Sequence, residues 1–182
     1  MSRPLQKWQI PRHATAAQFH RYIFQKKGQE QEMKLSYRAA KSTDLNRCAT
    51  IRGLTRDNAI SKETLVAIGV TDENWAPKVE NGIYSGFVAE DQDKVVAYCF
   101  GDTQTGEVMV LAVLPSYEGS GVGRKLLSLI VDKLLSNGFS ELWLAASPDP
   151  KIRAHGFYRH LYWQPTQTFD DNGDEILKYI RI

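Results

Sequence analysis

Glu107-Val108-Met109-Val110-Leu111-Ala112-Val113-Leu114 runs directly into Pro115-Ser116-Tyr117-Glu118-Gly119-Ser120-Gly121-Val122-Gly123-Arg124-Lys125. The first eight residues are apolar at nearly every position, which predicts a strand covered on both faces at the centre of a sheet. Beyond Gly121 the apolar period lengthens. Val122, Leu126, Leu127, Ile130, Leu134 and Leu135 mark one face of a helix, and Asn137-Gly138 is a left-handed stop for it. Between strand and helix, Gly119, Gly121 and Gly123 let the main chain approach a ligand with its N–H groups turned inward, and the helix start adds partial positive charge. Phosphates are the natural ligand. A plain glycine-rich connector is the competing reading, and the buried strand before it with a helix directly after argues against that.

Spacing removes two other phosphate motifs. A dinucleotide fingerprint needs G-x-G-x-x-G, whereas this loop is G-x-G-x-G with Arg124 where the third glycine would stand. A P-loop closes on G-K-[ST], and Gly123-Arg124-Lys125-Leu126 offers no hydroxyl for magnesium.

Working outward, Leu35, Tyr37 and Ala39 alternate with polar neighbours and predict a short half-buried strand. Ser42-Thr43-Asp44 then reads as a cap for a helix carrying Leu45, Cys48, Ile51 and Leu54 at spacings of three. The polar segment 55–80 predicts one short helix from Ser61 and is otherwise unordered by pattern. Tyr84 to Ala89 and Val95 to Phe100 are β-rich around a Glu90-Asp91-Gln92-Asp93 turn. Another strand is expected at Glu141 to Ala146, and a helix from Asp149-Pro150 to about Leu161. A last hairpin joins Trp163–Phe169 to Ile176–Ile182 across Asp170-Asp171-Asn172-Gly173. The order β, α, α, β, β, β, α, β, α, β, β predicts a single α/β (α+β) domain: a central mixed, mostly antiparallel sheet flanked by helices.

With 182 residues, 42% of them apolar, the chain is long enough for one domain with a core of its own. A net charge of +2 excludes a strongly basic nucleic-acid coat. The sum hides a split: residues 1–29 hold six Lys and Arg and no acid, so they carry +6 and the remainder −4. A basic arm is therefore expected over residues 1–32, ahead of a domain over 33–182. The arm packs on its own domain or on a partner subunit, which allows a homodimer. Its acid-free character also fits an organellar transit peptide, which would place the chain in the mitochondrial matrix. Cys48 and Cys99 lie far apart without metal-ligand spacing, so neither a metal site nor a disulfide framework is expected, and a reducing, cytoplasmic setting is. The apolar stretches are too short or too interrupted to cross a bilayer, and neither membrane nor nucleic acid is an expected partner.

The loop resembles that of the GNAT superfamily of N-acetyltransferases, whose acetyl-CoA loop follows [QR]-x-x-G-x-[GA]. Glu118-Gly119-Ser120-Gly121-Val122-Gly123 fills the pattern, with Glu118 in place of Gln or Arg. Ala154-His155-Gly156-Phe157-Tyr158 is similar to the family's A-x-x-[FL]-Y helix, and the order of elements agrees from Lys34 to Ile182. Tyr162-Trp163 stands where the family usually has Gly-Phe, and Ser147 where it often has Asn.

The resemblance implies an acetyltransferase in which an amine attacks the thioester of acetyl-CoA directly. It implies that Gly119, Ser120, Gly121, Val122, Gly123, Arg124 and Lys125, with Glu118 leading, hold the cofactor's phosphates. Backbone amides do that binding, so the Glu118 side chain is expected to face solvent. It also implies an oxyanion-binding main-chain N–H near Leu111, sheet-like bonds from Val113 to the pantetheine arm, Tyr158 as the acid and Glu107 as the base. A strand-edge glutamate facing solvent is the competing reading of Glu107. His155 and His160, five apart, lie on different faces of their helix and are not expected to act. Cys99 reads as a core residue rather than an acylated nucleophile.

Two classes of function stay open on this reading. One is an acetyltransferase acting on a small amine or a protein amino group, favoured by Glu107 and Tyr158. The other is a catalytically silent acyl-CoA-binding sensor or interaction module. The segment Arg56–Trp75 and the last hairpin are implied to line the acceptor cleft, and their acids Asp57, Glu63, Asp170 and Asp171 suggest a cationic amine.

Overall fold

The computed structural model describes residues 34–180, so the basic arm expected over residues 1–32 lies outside the described residues. Within them, β1 (Ser36–Ala39), β2 (Tyr84–Asp91), β3 (Lys94–Asp102) and β4 (Val108–Val113) form an antiparallel sheet in chain order. A second antiparallel sheet has the order β5 (Glu141–Ala146), β7 (Glu175–Ile180), β6 (Gln164–Phe169). The β2–β3 hairpin closes through Gln92 and Asp93, whose φ values of 47° and 61° match the right-handed twist of the strands.

Helices α1 (Leu45–Arg52), α2 (Lys62–Ala67) and α3 (Asp72–Glu80) belong to the sheet's first face, where Leu45, Cys48 and Ile51 pack with Val88, Tyr98 and Phe100. On the other face lies α4 (Val122–Ser136), whose Leu126, Ile130 and Leu134 meet Ala97, Cys99 and Leu142. α5 (Arg153–His160) follows β5. Buried Phe100 lies flat over Gly86, where an added Cβ would fall inside the van der Waals shell of the ring.

Asp44 does not cap α1. It turns back to accept the Lys41 N–H at 2.8 Å and pairs with Arg38, which also holds Glu90, because this pairing satisfies a nearly buried carboxylate more fully than a cap would. Leu54 lies beyond the end of α1 and is 53% exposed rather than on its apolar face. The expected start of α5 also moves. Asp149 takes the Lys151 N–H on its side chain and the Ile152 N–H on its carbonyl, spending its capping groups on a turn, so the helix begins at Arg153. α3, which no apolar pattern announced, starts at Thr71, whose hydroxyl accepts the Asn74 N–H.

The strand expected at the sheet's centre is corrected as well. β4 is the outer strand of its sheet, and only Val108 and Ala112 in it are buried. β5 touches it at one parallel bridge, Glu107 with Trp143, and belongs to the other sheet. Beyond that bridge no strand ladder joins β4 to β5. The apolar run reports helices covering both faces of β4 and says nothing about its edge.

Candidate active site

The glycine loop leads straight into α4. Gly119 and Gly121 adopt φ of 76° and 85°, conformations that a side chain would strain, and a Cβ at either would meet no atom within 4 Å. After the Glu118 N–H, which reaches the Pro115 carbonyl at 3.4 Å, the next N–H to find an acceptor is that of Lys125, on the Gly121 carbonyl at 3.0 Å. The six N–H groups from Gly119 to Arg124 find no acceptor among the described residues. Ser120 fixes the loop by donating to the Tyr117 carbonyl at 2.6 Å, and Tyr117 donates to Asp91 at 2.8 Å. Arg124 and Lys125 stand exposed on the first helical turn. Six unused donors, a helix start and two cations make an anion cradle.

Glu118 does not face solvent as expected. Its side chain is 10% exposed and pairs with Arg56 at 2.9 Å and Arg153 at 2.6 Å, with Asp57 at 3.7 Å from Arg153. Two guanidiniums compensate the acid, so the loop turns no bare negative charge toward an incoming phosphate. They also tie the segment after α1 and the start of α5 to the loop.

The edge of β4 supplies the next set of donors. The Leu114 N–H bonds back to Val96 in β3, and N–H groups along a strand alternate in direction. Those of Leu111 and Val113 therefore point away from β3, to the side where β5 departs. A bulge opposite Phe100 and Gly101 leaves Met109 as an extra residue, so Met109 and Val110 both reach the first face of the sheet. There they line a cavity of about 270 Å³, together with Glu107, Arg52, Trp75 and Tyr98.

Burial, reinforced by Asp102, pushes the Glu107 carboxyl above its ordinary range. Tyr158 on α5 packs edge-on against Phe157 and Trp163, with ring centroids 5.2 Å and 6.2 Å away. Its phenol is pushed up chiefly by burial, with Cys99 adding and Arg52 opposing. Cys99 pairs with Leu111 across the sheet, and Tyr158 packs in the same cluster as both. Burial raises the thiols of Cys48, to about 12, and of Cys99, which leaves neither as a thiolate nucleophile near neutrality. His155 is half-buried and His160 exposed.

A model described as the acetyltransferase (GNAT) family matches residues 54–161, more than half of the chain. The chain belongs to the GNAT acetyltransferase family. It is therefore an acyltransferase, and its acetyl donor is acetyl-CoA. No curated protein matches it by sequence. Solved GNAT structures share the fold at low identity. PaiA N-acetyltransferase from Thermoplasma acidophilum, in complex with coenzyme A, is 14% identical, with 82% of this chain and 100% of that one covered and a TM-score of 0.67. A GCN5-related N-acetyltransferase from Rhodopseudomonas palustris is 18% identical over 80% and 95% of the two chains, with a TM-score of 0.64. An N-acetyltransferase from Staphylococcus aureus is 14% identical over 81% and 98%, with a TM-score of 0.62.

Within this GNAT chain, Tyr162 occupies the place of the usual glycine after α5 and adopts the left-handed conformation that glycine would take freely, at φ 67°. Arg52, Arg153 and Asp174 were absent from the sequence-based site. No local pattern singles out Arg52 or Arg153.

Proposed function

We propose that this acyltransferase moves the acetyl group of acetyl-CoA to a primary amine by direct attack of the amine on the thioester. The observation that carries this is the continuity of donors: the unused N–H groups from Gly119 to Arg124 lead on to those of Leu111 and Val113 on the open edge of β4. In this reading Gly119, Ser120, Gly121, Val122, Gly123 and Arg124 bind the phosphates, aided by Lys125 and by the neutralised Glu118. Val113 pairs with the pantetheine arm as a strand would. The Leu111 N–H donates to the carbonyl oxygen as negative charge develops there.

An alkylamine of pKa about 10.4 costs about 4.6 kcal/mol to deprotonate at pH 7. A base in reach of the amine is thus of use. Glu107, on the cavity wall and held above its ordinary pKa by burial, is the residue in this reading that removes the proton, directly or through one water. Tyr158 gives its phenolic proton to the departing thiolate. From the ammonium, the nitrogen loses two protons: one passes through Glu107 to solvent, and the second leaves as the amide forms and restores the Tyr158 phenol, whose own proton has gone to the sulfur; the C–S bond is exchanged for a C–N bond. A cytoplasmic setting accords with the two buried free thiols, and the catalytic unit is taken as residues 33–182.

A thiol-release assay with acetyl-CoA and a panel of amines tests this. Release that depends on an amine supports it. Acetyl-CoA binding without release across the panel would make the chain an acyl-CoA sensor instead.

A further inference from the structure

The cavity beside Glu107 has a chemistry of its own. Its body is apolar, formed by Leu45, Ile60, Leu65, Val70, Trp75 and Phe100, and its volume of about 270 Å³ exceeds the roughly 150 Å³ that suffices for benzene. A ring or a branched alkyl group fits with room for a short polar handle. Three charged residues line the cavity as well: Glu107, Arg52 and the exposed Asp72.

Arg52 is the unusual member. It ends α1, and one of its five N–H donors goes to the Asn58 carbonyl. Among the described residues it forms no ion pair, whereas Arg38, Arg56, Arg153 and Arg159 do; Arg47 and the exposed Arg124 share that lack but do not line the cavity. Burial works against its charge, and Tyr98, Tyr158 and Asp174, the last in the loop between β6 and β7, offset it only in part. Half-buried guanidiniums are normally matched by an anion, because desolvation of the charge is otherwise uncompensated. Arg52 and Glu107 line the same cavity of about 270 Å³, so a carboxylate on Arg52 would lie close to an amine at Glu107. Only a molecule whose amine and carboxylate are a few bonds apart satisfies both positions.

We propose that the acceptor is an amino acid with an apolar or aromatic side chain, its carboxylate on Arg52, its side chain in the cavity and its amine toward Glu107. This names the substrate class for the amine transfer proposed above and rests on that reading. It also replaces the cationic amine that the surface acids of residues 57–63 and 170–171 suggested. Those acids lie outside the cavity wall, Asp57 being taken up by Arg153 and Asp170 by the N–H groups of Asn172 and Asp174.

The test uses the full chain, acetyl-CoA and five amines: L-phenylalanine, phenylethylamine, L-phenylalaninamide, the dipeptide Phe-Ala and spermidine. Thiol release is followed by mass identification of each product. A charge-assisted bidentate pair predicts kcat/KM about 10–100-fold higher for phenylalanine than for phenylethylamine or the amide. Arg52→Gln should raise KM for phenylalanine and bring its ratio to phenylethylamine near one, and Arg52→Lys should restore part of that ratio. A structural role for Arg52 would lower all amines alike and leave the ratio intact, which overturns the proposal. Preference for spermidine or for Phe-Ala also overturns it while upholding amine acetylation. No release with any of the five or with a lysine-containing peptide overturns the parent reading, and this one with it.

Discussion

Replacing Tyr158 by Phe isolates a single proton. The ring's edge-on contacts with Phe157 and Trp163 involve carbon atoms that phenylalanine keeps, and the phenol oxygen has no hydrogen-bond partner among the described residues, so stability should change by less than about 0.5 kcal/mol. The chemical effect is larger. A phenol of pKa about 10 protonating a thiolate of about 8.5 is uphill by about 2 kcal/mol in water. Burial raises this phenol further, which keeps it protonated at working pH and leaves concerted transfer as the means of supplying the proton. Without it the sulfur must leave as an anion into a half-buried site. General acid catalysis of this kind contributes about 10²–10⁴-fold, and we expect kcat to fall about 10²–10³-fold with little change in the affinity for CoA. Initial rates of thiol release at saturating amine, with calorimetric CoA titration of the same preparation, measure both quantities. A kcat within threefold of the parent enzyme would refute the assignment, since the ring alone would then suffice.

Glu107 must be ionised to act as a base, so kcat/KM should rise with pH through a value above the usual carboxylate range and then level. Glu107→Gln should flatten that limb and lower kcat about 10–100-fold. The same raised pKa makes ionisation easier in the unfolded chain, whose value is about 4.3. Stability is therefore lost as pH rises from there through the folded value, and Glu107→Gln should raise Tm at neutral pH; an unchanged pH–rate profile and Tm would contradict both. Glu118→Gln removes a negative charge beside the phosphate cradle and frees Arg56 and Arg153, so CoA should bind about 3–10-fold more tightly by calorimetry. Gly86→Ala drives a methyl group into the buried Phe100 ring, at a cost of about 2–3 kcal/mol, read as a fall in denaturant midpoint at constant slope. Tyr162→Gly relieves a left-handed side chain that is 77% exposed and loses little packing; after the entropy that glycine adds to the unfolded chain, a gain of about 0.5–1 kcal/mol and a Tm higher by a few degrees are expected.

The parts of the fold that could be read from the sequence are those with local causes. Gly119 and Gly121 lead into α4, and Gly123 opens its first turn, because their spacing and the 3.6-residue period of Leu126, Ile130 and Leu134 are set by neighbouring residues alone. The hairpin at Gln92-Asp93 is of the same kind. What escaped depends on distant partners. The apolar run of β4 is the same whether its edge meets a strand or an open gap, so the central position expected for it was the natural error. Glu118 read as solvent-facing because Arg56 and Arg153 reach it from separate segments. α3 hid behind Pro77 and a polar surface with no buried residue, its one clear signal being the capping hydroxyl of Thr71. Tyr158 and Glu107 stood out only through motif position, and Arg52 not at all, since what sets it apart is a shortage of partners that only the packed cavity reveals.

Every role assigned to the site depends on acetyl transfer from acetyl-CoA to an amine. The most direct measurement follows the mass of the amine and the free thiol together in one reaction with the full chain. An amine heavier by one acetyl group is expected for every CoA thiol released, with both abolished when amine is omitted. Thiol released at the same rate without amine, leaving free acetate and an unmodified acceptor, would contradict it.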